Sequence, residues 1–445
     1  MVRDLSQGLF PRGPCSENGA SRRRLSRWRA GARWRAASAT LLLALGLNGT
    51  MPHAGAAASR LEPPGAAVPP LTLLPPLLPG ADLAPLDFAA VPGWTDDDLA
   101  AAFLTFRDSC AALRSGAASN ASPSLRAGLR HACAAAAALG VAAPTGRVAR
   151  LFFEANFQPY EVRPDGRQGG FFTGYYEPEV EGALRPGAGF DVPVYARPDD
   201  LVMAAGPTAN GGAAWRQDGA RRVPYYDRAE IEDGALAGRG LEIVYLRDPI
   251  DLFFMQIQGS ARVRLPDGTV LRLNYDGYNG FPYTPVGRLL IARGLVPKDE
   301  MSMDRIRAFM EQDPEAGRLL RRENRAFVFF KAVPLSGAEG PLGAQGLPLT
   351  AGRSLAVDRR LHVYGTPVFV AADLPLTGPG VLEPFRRLMI AQDTGSAIVG
   401  PARADLYLGA GLEAGAVAGR LRHPGRFIML APRFAASDGQ EPKAP

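Results

Sequence analysis

From residue 171 to about 430 the chain breaks into many short apolar or β-branched runs at turn-like spacing. The runs do not alternate with helices in β-α-β order, which favours a compact barrel over a parallel sheet. Predicted strands lie at Val192–Val194, Leu241–Tyr245, Leu252–Ile257, Val263–Leu265 and Val270–Leu273, and the last two flank Pro266-Asp267-Gly268-Thr269, which has hairpin chemistry. A helical passage over 284–323 interrupts them; it starts at Thr284-Pro285, is divided by Gly294, and carries its longer periodic pattern over Ser302–Arg322. Strands resume at Ala326–Phe330, a Gly-rich loop spans 335–346, and further short strands fall near 354–357, 367–371, 386–391, 404–408 and 426–430. Ahead of the β-rich part, Thr95-Asp96-Asp97-Asp98 caps a helix with Leu99, Phe103 and Phe106 at helical spacing, and two more helices are expected near 122–139 and 145–157. The expected class is α+β, mainly β with helices.

The balance of 47% hydrophobic and 21% charged residues over 445 positions suits a globular chain of more than one domain. The net charge of +6 hints at an acidic partner, but residues 1–58 hold nine Arg against only Asp4 and Glu17, a net +7. The remainder is therefore about −1, and a nucleic-acid partner loses its support. Residues 1–58 have the layout of an export leader: Arg22-Arg23-Arg24 through Arg35, an apolar run Ala36–Leu47, then small-residue cleavage sites at Ala54-Gly55-Ala56 and Ala56-Ala57-Ala58. Ser21-Arg22-Arg23-Arg24-Leu25 hints at a twin-arginine signal. No Cys follows the apolar run to carry a lipid anchor, so the mature protein is expected free in the periplasm. Residues 59–92 are rich in Pro, Leu and Ala and read as a linker. An oxidising compartment would permit Cys110 and Cys133 to pair, whereas their Ala-rich helical settings equally suit small buried residues. Two such cysteines and the scattered His131, His362 and His423 make no convincing metal site, and neither a metal nor an organic cofactor is expected.

One carboxylate stands on a small-residue turn, in Ile390-Ala391-Gln392-Asp393-Thr394-Gly395-Ser396. The Asp-Thr-Gly-Ser tetrad is also the active-site sequence of aspartic proteases. Those enzymes need two carboxyls sharing a proton, and a second such motif is absent from this chain. An Asp followed by Thr and Gly often does no more than make a side-chain-to-backbone turn bond.

Phe171-Phe172-Thr173-Gly174-Tyr175-Tyr176-Glu177-Pro178, Asp251-Leu252-Phe253-Phe254-Met255-Gln256-Ile257-Gln258-Gly259-Ser260, Asn279-Gly280-Phe281-Pro282-Tyr283, Met301-Ser302-Met303, Phe327-Val328-Phe329-Phe330 and the Asp393 segment occur in a telling order. Together they resemble the membrane-bound lytic murein transglycosylase A family over about residues 145–432. The resemblance implies a double-psi β-barrel domain, at 93–178 plus 327–445 and including a C-terminal "3D" segment. A second β-rich domain would be inserted at 179–326, with a glycan strand of peptidoglycan in the groove between them. It implies further that the chain is a monomer, that cell-wall synthesis or division machinery is its natural company, and, from the family's name, an outer-membrane association.

The three aspartates of the 3D segment fall on Asp358, Asp393 and Asp405, the middle one being the family's sole catalytic acid and base. A lytic transglycosylase cleaves the β-1,4 bond between N-acetylmuramic acid and N-acetylglucosamine by attack of the sugar's own C6 hydroxyl, so one carboxyl suffices where a glycosidase needs two. Asp358 and Asp405 could tune Asp393 or simply hold the barrel loops. Thr173, Tyr175 and Glu177 are read as a turn near the groove, with Glu177 the second carboxylate if the reaction were hydrolysis. Gln256 and Gln258, two apart in a predicted strand, would share a face suited to acetamido or hydroxyl groups, or else be ordinary half-exposed strand amides. Ser396 and Val399 depart from a Gly and a Lys of some relatives. A non-catalytic peptidoglycan-binding module and a peptidoglycan glycoside hydrolase stay open as alternatives.

Overall fold

A computed structural model describes residues 78–115, 122–166, 169–203, 214–334 and 340–433. The leader and most of the Pro-rich stretch lie outside these residues. The described end of that stretch is more than a spacer: Ala81–Pro85 pairs antiparallel with Phe157–Pro164, and Leu86 and Phe88 pack on the helical core. Among the described residues no helix is long and apolar enough to cross a membrane.

Six strands close into a barrel in the order Arg422–Pro432, Pro367–Leu374, Glu383–Asp393, Ser354–Val357, Arg403–Ala410 and Gly170–Glu177, and the last pairs back onto the first. Closure is of mixed hand: Ser354–Val357 runs parallel to Glu383–Asp393, and Arg403–Ala410 runs parallel to Gly170–Glu177. Alternation sorts the side chains. Val368, Val370, Met389, Ala391, Phe427 and Met429 fill the barrel, while their neighbours Phe369, Leu388, Ile390, Ile428 and Leu430 point outward into a second core. These strands are buried on both faces, which is why their sequences read as continuous apolar runs.

The outer core is made by three helices, Leu99–Ser115, Pro123–Ala138 and Gly146–Asn156. Phe103, Phe106, Phe152 and Phe153 interlock at centroid distances of 4.9–6.4 Å, edge to face except for the tilted Phe106–Phe152 pair, and are all but fully buried. Each such ring contributes about 2–3 kcal/mol by burial alone. Ser122 and Thr145 cap the second and third helices through bonds from Leu125 N–H and Val148 N–H.

Beyond Glu177 the chain builds a second six-stranded sheet, ordered Val328–Val333, Val270–Tyr278, Ser260–Arg264, Glu179–Ala183, Glu242–Leu246 and Val192–Tyr195. A bridge from Ala196 to Phe330 brings its two edges together around a core containing Leu246, Met255, Val263 and Phe329. The expected hairpin is present, with Leu265 N–H donating to Thr269 O and Gly268 turning at φ +86°. Val328–Val333 pairs within this sheet, so the chain returns to the barrel only after it.

The run Leu252–Ile257 is a correction: it lies in the helix Pro249–Gln258, not in a strand. Asp248 caps this helix through Ile250 N–H, Pro249 sits at its first turn and Gly259 ends it at φ +82°. A short, uniformly apolar run carries no period, and here the flanking caps decide.

Cys110 and Cys133 form a disulfide between the first two helices, with Cα atoms 5.5 Å apart. Closing a loop of 23 residues restricts the unfolded chain by about 3 kcal/mol. Reduction, or Cys110→Ser, should lower the denaturation midpoint accordingly in urea unfolding.

Candidate active site

Four neighbouring strands place one row of residues on the barrel's outer face. In register, Asp393 stands opposite Ala356, Ala356 opposite Asp405, and Asp405 opposite Thr173. The next row holds Tyr407 opposite Tyr175. Ala404, Leu406 and Phe172 point into the barrel, so alternation turns Asp405, Tyr407, Thr173 and Tyr175 away from its interior. Thr173, Tyr175 and Glu177 thus belong to a strand, Gly170–Glu177, and not to a turn. A register shift between Leu355 and Ala356 makes Gln392 the extra residue that lets Asp393 end the strand on this face.

Asp393 is half-buried and held from two sides. The Tyr175 hydroxyl donates to its Oδ2 at 2.9 Å, and the backbone N–H of Ala344 donates to its Oδ1 at 2.8 Å. Burial pushes its carboxyl up to about 6, against the opposing pull of the Ala344 and Thr394 N–H groups and the Tyr175 hydroxyl, while the charge of Asp405 pushes the same way as burial. Burial and the facing carboxylates hold the Tyr175 phenol well above its ordinary range, so it stays a donor. Its ring rests on Tyr407, with centroids 5.4 Å apart. An acid that titrates near neutrality, with a fixed donor on each oxygen, can deliver a proton and take one back.

The supporting aspartates differ. Asp405 accepts from Thr173 Oγ1 at 2.5 Å, and Arg403 donates to that same hydroxyl at 2.7 Å. Burial raises the Asp405 carboxyl despite Arg403 and Thr173. Asp358 lies under the loop after Asp393, accepting from Gly400 N–H at 3.0 Å and from the Arg360 guanidinium at 2.8 Å. Burial opposes its ionisation, yet these donors hold it below the ordinary carboxylate range. Thr394 Oγ1, donating to Val357 O at 2.8 Å, fastens the start of the same loop, whose lip exposes Ser396 and Val399.

Glu177 is wholly buried between Arg262 Nε at 2.7 Å and Arg272 Nε at 2.9 Å. Both of its oxygens are taken by the inserted sheet. Gln256 and Gln258 share no strand face: on the helix Pro249–Gln258 they point to different sides. Gln256 donates to Val328 O at 3.1 Å, and Gln258 Oε1 accepts from Tyr176 N–H at 3.1 Å, so both fasten the inserted unit internally and to the crossing strand.

Sequence reading missed several contributors. Gln392 donates to Ser109 Oγ at 2.8 Å and accepts from Ser354, anchoring the strand end to the first helix. Tyr364 and Arg403 add to the local field. The Ala344 N–H has no sequence signature, since every residue but Pro carries that donor; Tyr407 could have been found by stepping two residues from Asp405. Among the described residues no group of three or more His, Cys, Asp or Glu side chains could hold a metal ion.

Because the folded carboxyl of Asp393 titrates at about 6, above its unfolded value, its favourable term is fully present below the unfolded pKa and is lost as pH rises through about 6. Above that pH the buried charge costs up to about 3 kcal/mol, lessened by its partial exposure. Asp393→Asn should therefore be more stable than the parent at neutral pH, and thermal unfolding should show the gain vanishing in acid. Glu177→Ala leaves Arg272 buried against a missing partner and should cost about 3–5 kcal/mol in urea unfolding.

The chain matches the model of the MltA specific insert domain over residues 171–331 and that of the 3D domain over residues 353–431. It is 38% identical to a membrane-bound lytic murein transglycosylase A of Vibrio cholerae over 266 residues, 58% of this chain; the match spans just under two thirds, 64%, of that relative's length. The crystal structure of a membrane-bound lytic murein transglycosylase from Agrobacterium tumefaciens superimposes with a TM-score of 0.71 at 37% identity, covering 80% of this chain and 99% of that one. Escherichia coli MltA with bound chitohexaose gives a TM-score of 0.55 at 29% identity, over 80% of this chain and 93% of that one. With both domain models matched in order and nearly the whole of a solved relative covered, the chain belongs to the membrane-bound lytic murein transglycosylase A family.

Proposed function

We propose that this protein is a peptidoglycan lytic transglycosylase in which Asp393 is the general acid and then the general base. The observation that carries the reading is the state of that one carboxyl: burial raises it to about 6, and Tyr175 and Ala344 fix both of its oxygens. Protonated, Asp393 donates to the glycosidic oxygen between N-acetylmuramic acid and N-acetylglucosamine. As carboxylate, it then takes the proton of the C6 hydroxyl, which closes the 1,6-anhydro ring. The nucleophile is part of the substrate, and well-oriented intramolecular attack reaches effective molarities on the order of 10⁵–10⁸ M.

The fixing of Glu177 favours this chemistry over hydrolysis. A hydrolase needs a second carboxyl to activate water or attack the sugar. Glu177, the expected candidate, has both oxygens occupied by arginines. In this reading Thr173, Arg403 and Asp405 set the field around Asp393, and Asp358 holds the loop that comes after it. The sugar chain would run between the barrel and the inserted sheet, which the chain enters near Glu179 and leaves after Val333; that the Escherichia coli relative holds chitohexaose supports a glycan ligand. Export to the periplasm fits the disulfide, which forms in oxidising compartments.

Digestion of purified sacculi should release muropeptides one water lighter than hydrolytic products by mass spectrometry, and Asp393→Asn should lose nearly all release while still sedimenting with sacculi. Full-mass products would make the enzyme a hydrolase, and an inert parent that still binds would make it a binding module. Since the acid must start protonated, kcat/KM should fall as pH rises through about 6.

A further inference from the structure

The donor on Asp393 Oδ1 is delivered by a loop that is itself gripped by the inserted sheet. Residues 340–346 fold into a tight turn: Gly343 N–H donates to Leu347 O at 2.9 Å and Leu349 N–H to Pro341 O at 2.9 Å. On the barrel side, Ala344 N–H reaches Asp393 and Gln345 N–H reaches Gln392 O at 3.0 Å. Gly343 permits that approach, because a Cβ there would lie 2.7 Å from Gln392 O and 2.6 Å from Leu349 Cδ2. On the other side stands Asn274, from the strand Val270–Tyr278 and only 3% exposed. Its Nδ2 donates to Leu342 O at 2.9 Å, and its Oδ1 accepts from Leu342 N–H at 3.3 Å. Arg272, two residues earlier on that strand, donates to Gly340 O at 3.2 Å.

We infer that Asn274 is a positioning residue for the reaction: through its paired amide bonds to Leu342 it holds the Ala344 N–H on Asp393, so that the seat of the inserted unit sets the acidity of the catalytic carboxyl. The inference rests on the proposed role of Asp393. An amide matched to both backbone groups of one residue fixes that residue's position and rotation together, which neither bond alone does. Leu342 is two residues from the donor, so a displacement of the sheet strand is passed to Ala344 with little slack. The other groups facing Asp393 are Tyr175 from Gly170–Glu177, Asp405 from Arg403–Ala410 and Tyr364 from the segment after Val357, with Arg403 beyond Asp405 and Arg359 beyond Tyr364. None of these is carried by the inserted sheet. Losing the Ala344 bond removes a group that favours the carboxylate, so the carboxyl is protonated up to a higher pH.

The test is the pH profile of anhydro-muropeptide release from sacculi by the parent, Asn274→Leu, Ala344→Pro and their combination, with Asp393→Asn as control and thermal melts for folding. Ala344→Pro deletes the donor N–H itself. In Asn274→Leu and Ala344→Pro the alkaline limb should move upward by about half a pH unit or more, with a lower plateau rate. The combined variant should move it no further than Ala344→Pro alone, because both changes remove the same bond. Folded single variants whose limb stays at the parent's pH, slowed equally at every pH, would overturn the inference. Should Asn274→Leu fail to fold, an unmoved limb in Ala344→Pro overturns it just as well. Loss of turnover in Asp393→Asn with unmoved limbs elsewhere sinks this inference alone; turnover retained by Asp393→Asn sinks the proposed function and this inference with it.

Discussion

The pairing of Gly170–Glu177 with Arg403–Ala410 and with Arg422–Pro432 is the constraint on which the rest of the molecule depends. It joins segments more than two hundred residues apart and closes the barrel. Closing such a long loop is entropically costly, and the cost is offset by burial of Phe172, Ala404, Leu406 and Phe427 inside. The same ladder brings Tyr175 to Asp393 and Thr173 to Asp405, so the structure that encloses the core also composes the site.

Asp393 shows how burial, partly offset by fixed donors, leaves a carboxyl titrating at about 6. Burial is the largest effect and drives it to stay protonated; two fixed donors and the Thr394 N–H pull the other way, and the charge of Asp405 adds a smaller push upward. Each donor comes from a different element: the crossing strand, the Gly-rich turn, and the strand's own exit. Acidity is thus a reading of how these elements are seated. Glu177, fully buried and paired twice, fixes the crossing from barrel to insert.

Local signals in the chain were legible where short-range physics decides. The Asp98 cap, the helices near 122–139 and 145–157, the Phe103 and Phe106 spacing and the Pro266-Asp267-Gly268-Thr269 turn all form as their residues predict. The apolar run of the helix Pro249–Gln258 lacks a period, so it reads as a strand, and the shared face expected of Gln256 and Gln258 does not exist on the helix. Thr173 to Glu177 read as a turn because two glycines and adjacent tyrosines obscure a strand whose partners are far away in sequence.

By itself the sequence determined which residues can turn, cap and pack, and it named Asp393 together with its family, because those depend on side-chain chemistry and order along the chain. The tertiary structure alone decided the pairing of Cys110 with Cys133, the occupation of Glu177 by two arginines, and the delivery of the Ala344 N–H to Asp393. Desolvation and hydrogen bonding between distant segments belong to positions in space. A carboxyl's acidity therefore has no value until the chain around it has folded.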